Sequence, residues 1–192
     1  MPVRSPAALV RMSTSRRVSI PHPLVAALAG ALALSGCAAP PDSFAPDCPR
    51  LALLPGAADL TQFDAHGQDL TDTELQARIT GVPAVCGAGP HGTVKAQIQV
   101  DMDLSRGPAA TGRDVGVPYF ITIMRGGAVL EQKDYVATTQ FPANLDSIKI
   151  SDDPINMVFP VSAQVPSGAY VIYVGFRLTA AQLAYNRQHP PR

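Results

Sequence analysis

The chain has 192 residues, 46% of them hydrophobic, with fifteen lysines and arginines against fifteen aspartates and glutamates. The balance is uneven along the sequence: four arginines precede Cys37 and all fifteen acidic residues follow it, so residues 37–192 hold eleven basic groups against fifteen acidic ones, a formal charge of −4. A mildly acidic segment with no basic stripe excludes a nucleic-acid binder, whose phosphate partner demands clustered Lys and Arg.

The first apolar run, LVAALAGALAL from Leu24 to Leu34, falls well short of the roughly 20 residues a bilayer-spanning helix needs. Arg4, Arg11, Arg16 and Arg17 lie upstream of it with no acidic residue among them, which is the charged region and hydrophobic region of an export signal. Translation from Met12 instead of Met1 would leave that signal complete. Leu34-Ser35-Gly36-Cys37 resembles the lipobox of bacterial lipoprotein precursors.

The resemblance implies that residues 1–36 are removed, that the Cys37 thiol takes a diacylglyceryl group, and that Cys37 becomes the first residue of the mature protein. Acyl chains contribute about 0.8 kcal/mol per buried methylene, so two or three of them make a lasting anchor. Ala38, where many inner-membrane lipoproteins carry aspartate, implies the outer membrane, facing the periplasm, with the inner membrane as the alternative.

With Cys37 lipidated, Cys48 and Cys86 remain, and an oxidising compartment favours their pairing as a disulfide. A redox or metal role lacks both a CxxC spacing and a histidine at ligand distance in sequence.

After cleavage about 156 residues remain, enough for one domain with its own core. Residues 37–47, CAAPPDSFAPD, are proline-rich and without periodicity, and read as a tether reaching roughly 30 Å at about 3 Å per residue. From Cys48 the dominant period is two. Between Thr93 and Leu104 the apolar residues Val94, Ala96, Ile98, Val100, Met102 and Leu104 alternate with Lys95, Gln97, Gln99, Asp101 and Asp103, one face buried and one wet.

Shorter strands are expected at Arg50 to Leu54, Leu75 to Val85, Val117 to Arg125, Ala128 to Gln140, Ser147 to Ile150, Met157 to Val161 and Ala169 to Leu178. Gly126-Gly127, Asp152-Asp153-Pro154 and Pro166-Ser167-Gly168 supply turn chemistry between them. Seven or eight strands with frequent turns predict an all-β fold, an immunoglobulin-like β-sandwich over residues 48–188, with a small β-barrel as the alternative.

Thr179 and Gln182 fit a capping box. A short C-terminal helix is therefore expected, with Leu183 and Ala184 on its packed face, ending before a tail at residues 189–192. VPYFITIM (Val117 to Met124) and AYVIYVGF (Ala169 to Phe176) are apolar on both faces, whereas a sandwich buries one face of each strand. The terminal helix and loops are expected to cover the other face; the alternative is a partner-binding patch.

No motif in the chain specifies a reaction. Gly87-Ala88-Gly89-Pro90-His91-Gly92 has the GxGxxG spacing, but a strand follows it where a dinucleotide site needs a helix N-terminus. Asp64 to Glu74 gathers His66 with several carboxylates without EF-hand spacing. His66, His91 and His189 fall in loops or the tail, and no G-x-S-x-G elbow occurs, so no catalytic triad is assembled. Arg106 to Gly116, with its two arginines, could clasp an anion. No catalytic residue, metal ligand or cofactor is assigned.

Cys48 to Phe63, Gly67 to Asp72 and Leu178 to Arg187 resemble segments of a group of Gram-negative envelope lipoproteins for which no activity is established. The resemblance implies the same localisation. The resulting expectation is a non-enzymatic, membrane-anchored module that binds an envelope protein in an assembly or accessory role; a lipid- or small-molecule-binding module is the alternative.

Overall fold

A computed structural model describes residues 47–190. The signal, Cys37 and the tether up to residue 46 lie outside the described residues.

Eleven strands are present: β1 (Arg50–Leu53), β2 (Asp59–Phe63), β3 (Thr73–Gly81), β4 (Ala84–Gly89), β5 (Thr93–Ile98), β6 (Asp101–Arg106), β7 (Asp114–Arg125), β8 (Ala128–Gln140), β9 (Ser147–Ser151), β10 (Ile155–Pro160) and β11 (Tyr170–Phe176), followed by helix α1 (Ala180–Gln188). One sheet has the order β1-β11-β7-β8; the others are β2-β3-β6-β9 and β10-β5-β4.

The last two are halves of one bent sheet. Ile98 pairs with Ala84 and Ile155, while Asp101, three residues on, pairs with Gly81 and Ser151. β3 with β4, β6 with β5 and β9 with β10 are thus three continuous runs, each kinked at its middle. Two hydrogen bonds carry the ladder through the kink, from Gln99 N to Pro83 O at 3.0 Å and from Asp152 N to Val100 O at 3.0 Å. Proline supplies no ladder donor, so Pro83 and Pro154 sit where pairing is interrupted.

The all-β sandwich is present, and its sheets remain open instead of closing into a barrel. Counted as runs, eleven strands become eight. The expected strands Leu75 to Val85 and Thr93 to Leu104 are therefore correct as chain paths and too long as strands. Asp152-Asp153-Pro154 does not reverse the chain, contrary to its turn chemistry; its three residues face the two of Gln99-Val100, and the one in excess kinks the outermost run.

Asp59–Phe63 was not expected as a strand. With only Leu60 and Phe63 apolar in DLTQF, no alternation announces it, and its place comes from pairing with β3. β1 is the edge of its sheet and runs parallel to β11.

The core lies between the two layers. From β7 and β11 come Tyr119, Ile121, Ile172, Val174 and Phe176, and from the bent sheet Leu75, Ile98, Val100, Met102 and Leu104, all 3% exposed or less. At the kink the buried Tyr119 hydroxyl donates to Asp152 Oδ2 at 2.6 Å, and burial holds the phenol proton far above the usual tyrosine range. The β7–β8 hairpin turns at Gly126 and Gly127, with φ of 58° and 82°, the two positive values a type I′ turn requires.

The two sides of the sandwich are closed differently. On one side Cys48, just ahead of edge strand β1, lies at disulfide distance from Cys86 on β4, with Cα atoms 5.5 Å apart, so the bridge joins the two layers.

Helix α1 lies on the same flank against β2. The Thr179 hydroxyl accepts from Gln182 N and the Gln182 side chain accepts from Thr179 N, as the capping box predicts. Tyr185 meets Phe63 edge-on, and the Asn186 amide donates to Gly56 O and Asp59 O at 3.0 and 2.7 Å. Ala184 is exposed and does not pack; Gln182, Tyr185 and Asn186, spaced by three and four, form the inward face. The opposite flank, where β8 faces β9 and β10, has neither bridge nor helix among the described residues.

Replacing both Cys48 and Cys86 by alanine frees a 38-residue separation, and the chain-entropy model sets the loss at about 4 kcal/mol. The expected result is a lower urea midpoint with the β-rich circular dichroism spectrum retained at zero denaturant.

Candidate functional site

Three surfaces stand out, and all follow from which flank is closed. The first is the open flank. β8 is thirteen residues long and pairs only with β7, so its other edge presents free backbone donors and acceptors. Its residues from Ala128 to Asp134 are all exposed, including Val129 and Leu130; Val158 on edge strand β10 is 59% exposed.

Between β8 and β10 a cleft of about 140 Å³ reaches the core residues Ile121 and Ile123. An ion pair of Glu131 and Lys133, 2.6 Å apart, stands at its rim. Leu130 has no partner on β7, because Ile123 pairs with Glu131 and Met124 with Val129. This bulge and the two charges restrain indiscriminate edge pairing.

The second surface is the outer face of the β1-β11-β7-β8 sheet. Alternation places Pro118, Phe120, Thr122 and Met124 of β7 and Val171 and Tyr173 of β11 there, all but the buried Thr122 half-buried. α1 does not lie on this face, since its packing contacts are to β2. The expectation that the terminal helix covers the doubly apolar strands is therefore corrected.

Among the described residues a loop covers the patch at Gly175, where a Cβ would come within 3.0 Å of the Ala57 methyl. Arg177 lies over the Phe120 ring, 5.2 Å from its centroid, and pairs with Asp134.

The third is a groove of about 380 Å³ between α1 and the outer face of β3 and β6, lined by polar groups including Gln76, Arg78, Asp103 and Ser105. Its floor is a cross-strand row of alternating charge. Asp59 pairs with Arg78 at 2.6 Å and Asp103 with Lys149 at 3.3 Å. Such a row satisfies itself and is an ordinary wet sheet face.

The chemistry-bearing residues of the sequence are dispersed. Gly87 to Gly92 is the β4–β5 hairpin, in which His91 and Gly92 take positive φ; no helix follows it. Arg106 donates to Asp146 and to the carbonyls of Gly112 and Ala110, and Arg113 to those of Pro142 and Leu145. Both arginines are engaged in fastening two loops to one end of the sandwich, which leaves the anion-clasp alternative without its donors. Among the described residues no three of His, Cys, Asp and Glu gather where a metal could be held.

His66 belongs to a local turn. Its backbone N donates to Asp64 Oδ1 and its Nδ1 lies 2.8 Å from Asp64 Oδ2. His189 stacks on Tyr185 with centroids 4.2 Å apart, and its Nδ1 lies 3.1 Å from Tyr185 O.

Which flank stays open cannot be read from the residues. Val158 sits in a run read only as strand, and the solvent exposure of Leu130 follows from a bulge that leaves no mark in the hydropathy pattern.

The fold and its surfaces define a disulfide-closed β-sandwich with one flank sealed and one flank open. No family model, curated protein or solved structure matches the chain.

The Asp64–His66 contact sets a pH window. The hydrogen bond to Asp64 raises the imidazole above its ordinary 6.5, and the same bond lowers the Asp64 carboxyl below 3.8. A raised histidine value means the contact is fully present below 6.5 and lost as pH rises through the raised value. A lowered carboxylate value means it is present above 3.8 and lost as pH falls. In an NMR titration the His66 ring should show a midpoint above 6.5, and Asp64→Asn should lower that midpoint.

Proposed function

We propose that the chain is a lipid-anchored envelope protein, facing the periplasm, that recognises a protein partner through its open flank and performs no chemistry of its own. Export signal and lipobox, with Cys37 as the lipidated residue, support the anchoring. The single observation that carries the interaction is the uncovered pair of edges, β8 and β10, with Leu130 and Val158 exposed beside a cleft leading to Ile121 and Ile123. An extended segment of a partner can add to such an edge through main-chain hydrogen bonds, with side chains entering the cleft for specificity.

The ligand-binding alternative calls for a closed barrel or an apolar cavity. The sheets are open, and the 380 Å³ groove beside α1 is predominantly polar and open to solvent.

The interaction is tested by affinity purification from crosslinked membranes followed by mass spectrometry, comparing the wild type with Leu130→Glu/Val158→Glu. Both side chains are exposed, so the double variant should unfold within about 1 kcal/mol of the wild type while losing the partner that the wild type recovers. Recovery of no reproducible partner, or of the same partner by the variant, would sink the reading.

The anchor has a separate test. Cys37→Ala should move the protein from the membrane pellet to the soluble fraction, and a variant that still pellets would disprove lipidation as the means of attachment.

A further inference from the structure

The two outer faces of the sandwich are built for different surroundings. Across β2, β3, β6 and β9 the outward side chains form the row Asp59, Arg78, Asp103 and Lys149, which would be costly to take out of water. Across β11, β7 and β8 the corresponding rows are Val171, Met124 and Val129, then Tyr173, Thr122 and Gln132. Further along, Phe120 and Val136 continue the apolar surface, with Val129 and Val136 59% and 58% exposed. Two carboxylates stand on this face, Asp134, paired with Arg177, and Asp114 at the far end of β7, which accepts from the Gln140 amide.

We infer that this face of the β1-β11-β7-β8 sheet lies on the headgroup region of the same bilayer that holds the lipid on Cys37. The inference rests on the anchoring proposed above and adds an orientation to it. Three observations choose a bilayer as the occupant.

The chain enters the sandwich at Cys48, pinned to Cys86, and continues directly into β1, the edge strand of this very sheet. Cys37 is eleven residues upstream, a span of roughly 40 Å at full extension, whereas four strands about 4.8 Å apart are only about 15 Å wide. The whole face is therefore within reach of the anchor.

The side chains also suit an interface. Tyr173 and Phe120 offer apolar bodies at the depth where aromatic residues collect. Arg50, exposed at the start of β1, stands at the margin where a headgroup phosphate would meet it. A single acyl-linked tether would otherwise let the domain tumble. Apolar contact at this face holds it flat, with the charged row of the bent sheet directed to water.

The chain contains no tryptophan, so one introduced indole reports on one place. Full-length, lipidated Tyr173→Trp and Val136→Trp proteins are reconstituted in vesicles of phosphatidylethanolamine and phosphatidylglycerol, with and without brominated lipid. Gln76→Trp marks the opposite face, and intact mass verifies acylation of Cys37.

The expected result is blue-shifted, bromine-quenched emission from positions 173 and 136 and water-like, unquenched emission from position 76. Val136 is largely exposed, so that variant keeps the test sound if Tyr173→Trp disturbs packing. Acylated protein with unquenched emission at both positions, or equal quenching at position 76, overturns the orientation and leaves the anchor standing. Absence of the acyl mass on Cys37 overturns both.

Discussion

Everything in this fold depends on the kink that carries three strand runs through one bent sheet. The runs continue across it because Gln99 N reaches Pro83 O and Asp152 N reaches Val100 O, and because Tyr119, from the opposite layer, fastens Asp152 through its buried hydroxyl. The bend lets both halves of a long sheet face the same four-stranded layer. Ala96 and Ile98 before it, and Val100, Met102 and Leu104 after it, all enter one core at 2% exposure or less. A straight sheet of that length would carry one end away from β7 and β11 and leave its apolar face wet. The hydrophobic term of the whole domain, at about 25 cal/mol per Å² buried, is therefore conditional on a few polar contacts at the kink.

The same geometry leaves two flanks, and the sequence spends its closures on only one. The Cys48–Cys86 pair ties edge to edge, and α1 lies over β2 with Asn186 taking the carbonyls of Gly56 and Asp59. The other flank keeps a thirteen-residue edge strand guarded by a bulge and by Glu131 and Lys133. Edges that need only avoid aggregation are short, charged or covered. β8 is long and leaves Val129, Leu130 and Val136 exposed, so its protection rests on the bulge and the two charges.

Much of this architecture is legible in the residues. Alternation from Val94 to Leu104, the paired glycines at 126 and 127, and the Thr179–Gln182 box each name their element because the signal is local: side-chain period, positive φ, a hydroxyl within reach of an amide. What escapes is decided by contacts distant in sequence. DLTQF becomes a strand through β3, and Asp152-Asp153-Pro154 becomes a kink because β5 and β6 already form a continuous partner. Ala184 turns to solvent because Asn186 finds two carbonyls on the other face of the helix.

The candidate surfaces follow the same division: the doubly apolar strands are visible as composition, but which of their faces stays uncovered is not. That depends on where α1 goes, and its nine residues dock where the Asn186 amide reaches the carbonyls of Gly56 and Asp59.

The helix is thus more than a terminal cap. If α1 covered the outer face of β7 and β11, the sandwich would have a second small core and a charged exterior all round. By packing on β2, α1 seals the flank where the chain enters at Cys48 and leaves Phe120, Met124, Val171 and Tyr173 half-buried on the outer face of the β1-β11-β7-β8 sheet. The fold's stability does not require that face to be apolar, since Ile121, Ile123, Ile172 and Val174 already fill the inner side. Its apolar residues answer to no packing demand inside the sandwich, and they lie on the sheet whose edge strand β1 receives the chain directly from Cys48.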